Sequence, residues 1–581
     1  MVRQSTPGWG PQRMGRRDPA TIPSIDPREL GVTAGPPSAG RWNVRGAGRL
    51  GGPVAALTSC VLAAAMTMTA PPVGSVTRPA GVLRPTALYS WGISFDGQLG
   101  NRVYAGPQTC ANGSTCSASP VEVALPAGVS PTAVAGGGNT GYAIGSDGNL
   151  YAWGEADVGD GTKKNRDAPV RVLLPAGVTP TAIASGVNSG YAIGSDGRLY
   201  AWGTNWAGQL ATSSTDNAPL PLTITLPGGV TPTAIAASDS TVYAIGTNGT
   251  LYAWGYDAQG EIGDGTAVEL SATPTPVLLP PGVTPVAIAA GQESGYAIGS
   301  DGALYAWGDN YWGELGDGTD GGPGKCGGDP CATTPVQVSL PAGVTATAIA
   351  ASQGTAYALG SDGHLYAWGD NGAGQVGDGT ASAVPTLAPT RVSLPSGVAP
   401  TSVAAGGNTA YAVGSDEHLY AWGSNSAGQL GIGATTGPET CIIDQAPYSL
   451  ACSPTPMMLR LPQPVTAIAA PYDGGYVIAA PGAVGPATTL RLTSSLPRPI
   501  RVGHRVTFTA RVSATSGQPM GTVRFVVRGC PVGAPITLVR GRASITLDDL
   551  PVGDDPVTAR FSSTNGFLPS AAGIVQIVSV R

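Results

Sequence analysis

Between residues 86 and 482 the apolar residues fall in short runs, each broken by a turn signal. Runs of the TAIA and YAIG type alternate with the string Leu-Tyr-Xaa-Trp-Gly. Short runs rich in Ala, Ile, Tyr and Trp, separated by Ser-Asp-Gly, predict β-hairpins. No part of this stretch sustains a helical period.

Three strings recur seven times each. Leu-Tyr-Xaa-Trp-Gly places its tryptophans at Trp91, Trp153, Trp202, Trp254, Trp307, Trp368 and Trp422, 49 to 62 residues apart. A second string begins at Tyr142, Tyr191, Tyr243, Tyr296, Tyr357 and Tyr411, with a degenerate copy at Tyr476. A third, of the type VxxLPAGVTPTAIA, has its Leu-Pro pairs ending at Pro126, Pro175, Pro227, Pro280, Pro341, Pro395 and Pro462. Four short strands per unit at this spacing predict the blades of a β-propeller, stacked around a central channel. The string order also predicts how the ring closes. LYSWG at 88–92 has no partner string before it, and VTAIAAPYDGGYVIA at 465–479 has no LYAWG after it. The two should pair and clasp one blade, which removes the free sheet edges.

WGDNYWGELGDGT (307–319), WGDNGAGQVGDGT (368–380) and WGSNSAGQLGIG (422–433) resemble the repeat of the regulator of chromosome condensation family. That resemblance covers about 88–480 and implies a seven-bladed propeller closed by a split blade. It also implies three functional classes: nucleotide exchange on a small GTPase, inhibition of a β-lactamase-type hydrolase by a secreted branch, or a binding scaffold. Where the family often carries His ahead of its second strand, this chain has Thr140, Ser189, Ser294 or Thr355. Hydrogen bonding inside the blades should therefore differ.

Residues 484–581 change character. VTFTARVSA, GTVRFVVRG, ASITLDDL and VTARFSS alternate apolar and polar positions, predicting an Ig-like β-sandwich. VTFTA, GTVRF, LPVG and TARF resemble the bacterial Ig-like repeat of exported surface proteins, although Arg528-Gly529-Cys530 stands where that family often has an acidic turn.

Composition agrees with an all-β chain: 87 Gly and 53 Pro among 581 residues, only 11% charged, and three His. The net charge of −6 hides an asymmetry. Residues 1–85 carry +7, 86–482 carry −20, and 483–581 carry +7. An acidic middle repels phosphate backbones, so no nucleic-acid partner is expected. Residues 1–52 read as a disordered leader. Residues 53–72 contain the apolar run Val54 to Ala70, preceded by Arg41, Arg45 and Arg49, and read as a signal peptide or a membrane anchor. Lipidation at Cys60 is a third alternative. A bacterial extracellular or cell-surface monomer is expected.

Six of the eight cysteines fall as close pairs, Cys110 with Cys116, Cys326 with Cys331, and Cys441 with Cys452, each inside one insertion. They read as three disulfides, because no Cys-x-x-Cys pair or nearby His completes a zinc site. Cys530 is left over and reads as a buried small hydrophobe. Gly-Asp-Gly-Thr at Asp160, Asp264, Asp317 and Asp378 offers one carboxylate per site and reads as a turn, not a calcium loop. His364 and His418 lie at equivalent hairpin ends, and His504 lies in the Ig-like segment. No catalytic set, metal or cofactor is expected, so the chain reads as a non-enzyme that binds a protein or cell-envelope ligand. The candidate binding residues are Trp206, Tyr256, Tyr311 and Trp312, in the turns just after Trp-Gly. Two roles are open for them, a partner-binding patch on one face or packing between blades.

Overall fold

The computed structural model describes residues 86–442 and 449–579, apart from 460, 462, 481–487, 497–499, 502–503, 515–517, 528–529, 548–549, 551–552 and 564–569. The expected leader, the signal or anchor segment with Cys60, and Arg528-Gly529 lie outside the described residues, as does the side chain of Cys530.

Almost every element is a strand. Between Ala87 and Ala479 the described strands form seven antiparallel sheets of four or five strands. A representative blade runs Pro131–Gly136, Thr140–Gly145, Leu150–Gly154 and Arg166–Arg171 in spatial order. The split blade takes Ala87–Ile93 and Thr115–Glu122 from the start of the array, and Val465–Ala469 and Gly474–Ala479 from its end. Leu88 lies opposite Ile478 and Trp91 opposite Gly475, so the expected clasp is present.

The second and third strands are buried throughout because they pack against neighbouring blades on both faces, and they read as unbroken apolar runs for that reason. Six third-strand Trp rings, those of Trp91, Trp153, Trp202, Trp307, Trp368 and Trp422, meet a Tyr of the preceding blade edge to face. Tyr243 meets Trp307 at 5.6 Å between ring centroids and 77°, and Tyr296 meets Trp368 at 6.3 Å and 71°. Such contacts add about 0.5–1.5 kcal/mol each beyond area burial.

The glycine after each Trp is required by backbone geometry. Gly255 has φ 115°, and a Cβ there would lie 2.0 Å from the Ser240 carbonyl oxygen. The Ser-Asp-Gly hairpins are locked by their own side chains. Asp301 Oδ1 accepts the Ala303 N–H at 3.1 Å, and Asp301 Oδ2 accepts the Tyr305 hydroxyl at 2.6 Å. The Tyr305 hydrogen bond holds the Asp301 carboxyl below its ordinary value. The hydroxyls at the expected family-His position divide: those of Thr140 and Ser189 are buried without a hydrogen-bond partner, whereas others donate to a main-chain carbonyl. Thr241 Oγ1 donates to the Tyr256 carbonyl and Thr355 Oγ1 to the Asp370 carbonyl, both at 2.8 Å.

Three disulfides, Cys110–Cys116, Cys326–Cys331 and Cys441–Cys452, close the hairpins that give three of the sheets a fifth strand. In the Gly-Asp-Gly-Thr segments the Asp accepts from the Thr two residues on, as with Asp317 Oδ1 and the Thr319 N–H at 2.8 Å. These are turns.

Behind the blades, two more sheets share one core. Thr488–Ser494, Val506–Ala514 and Arg542–Leu547 form the first; Ile500–Arg501, Ser570–Ser579, Gly553–Ser563, Gly521–Val527 and Cys530–Thr537 form the second. Alternation turns Val506, Phe508, Val523, Phe525 and Phe561 inward. His504 is exposed.

Candidate functional site

Two sets of turns open on the same end of the blade array. One joins the first and second strands of each blade: 136–138, 185–187, 237–239, 290–292, 351–353, 405–407 and 470–472 surround a common channel mouth. The other follows each Trp-Gly and packs beside it. In this second set a Gln or Glu recurs at Gln98, Gln209, Glu261, Glu314, Gln375 and Gln429.

This residue joins the blades through both its ends. Its main-chain carbonyl accepts two buried donors, the Tyr hydroxyl of its own blade and the Trp indole N–H of the next. Gln375 O takes Tyr357 Oη at 2.7 Å and Trp422 Nε1 at 2.8 Å; Glu314 O takes Tyr296 Oη at 3.0 Å and Trp368 Nε1 at 2.8 Å. Its side-chain oxygen caps its own turn, as when Gln375 Oε1 accepts the Ala373 N–H at 2.8 Å. At three joints the Gln amide nitrogen then reaches the next blade: Gln98 Nε2 to Asn139 Oδ1 and Gln375 Nε2 to Asn408 Oδ1, both 3.3 Å, and Gln429 Nε2 to Asp473 Oδ1 at 3.0 Å, whereas Gln209 Nε2 is buried without a partner. One blade has the shorter turn Glu155-Ala156-Asp157-Val158 in place of this residue. The Trp202 indole N–H that would meet it is buried without a partner.

Two adjacent joints break the pattern with carboxylates. Glu261 and Glu314 are buried, at 0% and 2% exposure. Burial pushes both carboxyls well above the ordinary glutamate value, and like charges nearby add to the rise. Glu261 Oε1 has no hydrogen-bond partner. Asp309 is pushed up to about 7 by burial and then by Glu293, and Asp239 at the channel mouth is pushed up to about 7 by the same two causes. Glu293, Asp309, Glu314 and Asp370 line a pocket of roughly 240 Å³ with Gln292, Gln353, Gly354, Asn408 and Trp312. Among the described residues no group of three or more His, Cys, Asp or Glu is arranged to hold a metal ion.

The four aromatic candidates separate into two ring pairs. Trp206, 54% exposed, lies 5.8 Å from the half-buried Tyr256. Tyr311, 55% exposed, meets the half-buried Trp312 edge to face at 4.9 Å. Trp312 also forms one wall of the acidic pocket. Sequence reasoning missed Phe95, 49% exposed, at the same third place after Trp-Gly as Trp206 and Tyr311. That shared place in the repeat was the available signal. It missed the acidic pocket as well, since Glu-for-Gln within a repeat looks conservative. His364 and His418 sit on hairpin ends, where their backbone N–H groups bond Asp362 and Asp416.

The Regulator of chromosome condensation (RCC1) repeat matches 196–245, 248–298, 301–359 and 362–413, and a second form of that repeat matches 346–375 and 401–429. The Bacterial Ig-like domain (group 3) matches 492–580. The Ultraviolet-B receptor of Arabidopsis thaliana is 29% identical over 229 residues, 39% of this chain and 49% of the receptor. A probable human E3 ubiquitin-protein ligase is 26% identical over 200 residues, 34% of this chain and 19% of the ligase. The chain thus spans about half of one relative and a fifth of the other. Among solved structures, human WBSCR16 superposes with a TM-score of 0.57 at 19% identity, covering 68% of this chain and all of that one. Prp20p from Saccharomyces cerevisiae, described with its binding to Gsp1p and histones, gives 0.56 at 21% identity, covering 68% of this chain and 92% of that one. These likenesses show the fold, a propeller of repeated blades. Residues 196–429 thus carry repeats of the Regulator of chromosome condensation family, and residues 492–580 match a bacterial Ig-like domain.

Proposed function

We propose that this chain is an exported, non-catalytic binding protein. In this reading a seven-bladed propeller (86–482) presents its loops to a protein partner, and an Ig-like sandwich (484–581) serves as the envelope-side module. The leader, 1–52 and 53–72, directs export. One observation carries the reading. Phe95, Trp206 and Tyr311, each about half exposed, occupy the same place in the turns of three blades, and Tyr311 packs against Trp312 at the wall of an acidic pocket. Aromatic anchors around a recess are the composition of protein-binding surfaces. Three disulfides and a bacterial Ig-like domain support an oxidising, extracellular location. The ligase shares too little of its length with this chain, and Prp20p too little of its sequence, for what their descriptions say to transfer.

Two measurements test it. Intact mass of the native protein from cells and medium, with and without reduction, should show a trimmed chain with three disulfides in the medium. An untrimmed intracellular chain with free thiols would sink the export reading. Crosslinking on the producing cell, followed by mass spectrometry, should yield a partner that the double variant Trp206→Ala and Tyr311→Ala loses while its Tm is kept. A variant that keeps its partner but melts early would assign the rings to packing.

A further inference from the structure

The joint between the blade of Leu304–Asp309 and the next changes both partners of the bridge, as does the joint before it, where Glu261 and Glu293 hold the two places, but here the facing side chain is missing altogether. At three joints the turn contributes a Gln whose amide donates to a side chain just before the second strand of the next blade: Asn139, Asn408 or Asp473. Here the turn contributes Glu314, and the facing residue, just before Thr355, is Gly354. Glu314 Oε2 is engaged by the Trp312 N–H at 2.8 Å. Glu314 Oε1 points at the space the missing side chain would fill, 3.5 Å from an ideal Cβ on Gly354, with the Trp312 ring at 3.2 Å. Asn is thus replaced by a recess, and a donor by an acceptor. Glu293, Asp309 and Asp370 line the same recess.

Such a recess lacks a hydrogen-bond donor that carries positive charge. The carboxylates are not grouped as metal ligands among the described residues. One wall is an indole, which favours a flat, weakly hydrated cation that can stack while donating several N–H bonds. We propose that the pocket under Trp312 receives the guanidinium of an arginine side chain from a protein partner. The proposal rests on the reading of this face as a protein-binding surface and adds the chemistry of its anchor. The −20 charge of residues 86–482 draws such a partner in. The buried carboxylates of Glu314 and Asp309 are relieved when the cation arrives, so the pocket is selective for charge as well as shape.

The test uses the full chain and three peptides, acetyl-Gly-Arg-Gly-amide and its lysine and citrulline counterparts, titrated calorimetrically at fixed ionic strength. The arginine peptide should saturate at one per chain, with the citrulline peptide at least tenfold weaker and the lysine peptide weaker than arginine. Glu314→Gln should lose at least tenfold. Gly354→Asn, which fills the recess with the residue used at 139, 188 and 408, should lose as much while leaving Tm unchanged. Asp216→Asn, an equal loss of charge on an exposed loop, should change nothing. Equal weakening by Asp216→Asn, unaltered binding to Gly354→Asn, or citrulline or lysine binding as tightly as arginine would overturn the proposal. Peptide binding is read without the natural partner. Loss of partner capture with peptide binding intact therefore counts against the wider reading alone.

Discussion

Two neighbouring joints of the propeller use the same turn to opposite ends. At Gln375 the amide bridges to Asn408 and Asp370, and the main-chain carbonyl holds Tyr357 and Trp422. At Glu314 the carbonyl holds Tyr296 and Trp368 with the same geometry, but the side chain faces Gly354 and a recess. The main-chain half of the joint carries the fold, and the side-chain half is free to vary. A repeat protein can therefore open a binding pocket between two blades without weakening the seam that stacks them.

The strongest way to break this comparison is to exchange the joints. Gln375→Glu with Asn408→Gly should open a second recess and lower stability by about 3 kcal/mol at pH 8, because a buried charge is left uncompensated. Denaturant unfolding would read this, and an unchanged midpoint would show that the side-chain bridge contributes nothing. The carbonyl seam gives the next largest effect. Trp254→Phe removes a 2.9 Å bond to the Gln209 carbonyl, whereas Trp202→Phe removes an N–H that has no partner. The first should therefore cost about 1 kcal/mol more than the second in parallel melts.

The acidic joint should also show in the pH profile. Burial and Glu293 raise Asp309 from 3.8 to about 7, and burial, with Asp309 beside it, raises Glu314 well above its ordinary value. Groups with raised folded values bind protons more tightly folded than unfolded. Their contribution to stability is therefore fully present at low pH and is lost as pH rises from about 4 through about 7. Asp309→Asn with Glu314→Gln should gain Tm relative to the parent at pH 8 and not at pH 4. Glu293, Asp370 and Asp329 face the same groups and remain in both proteins. A difference curve flat in pH would refute the assignment. The smallest effect belongs to the rim. Trp206→Ala and Tyr311→Ala, each at a half-exposed ring, should shift stability by no more than about 0.5–1 kcal/mol in a thermal melt.

Much of the fold was legible because it is local. A Ser-Asp-Gly turn, a Trp-Gly bulge and two cysteines five or six residues apart, as at Cys326 and Cys331, are decided by neighbours in the chain. The clasp of 88–92 against 474–479 was legible from counting, since an unpaired string at each end leaves only one closure. Of the candidate aromatics, Trp206, Tyr311 and Trp312 lie in the turns after Trp-Gly, whereas Tyr256 lies within the strand Leu251–Asp257. Their grouping was only half legible: Tyr311 and Trp312 adjoin in the chain, but Trp206 meets Tyr256 only because their two blades stack. The pocket was hidden for the same reason. Glu314 and Gly354 each look ordinary alone, and 40 residues separate them.

By itself the sequence determined the strands, their turns, the repeat number and the three cysteine pairs, because each follows from side-chain pattern and short-range geometry. Only the tertiary structure decided which residue of one blade faces which residue of the next. That register is set by the stacking of buried Tyr and Trp rings across the joint. Whether a joint is sealed by an amide or opened onto carboxylates depends on two side chains that meet only after the ring has closed.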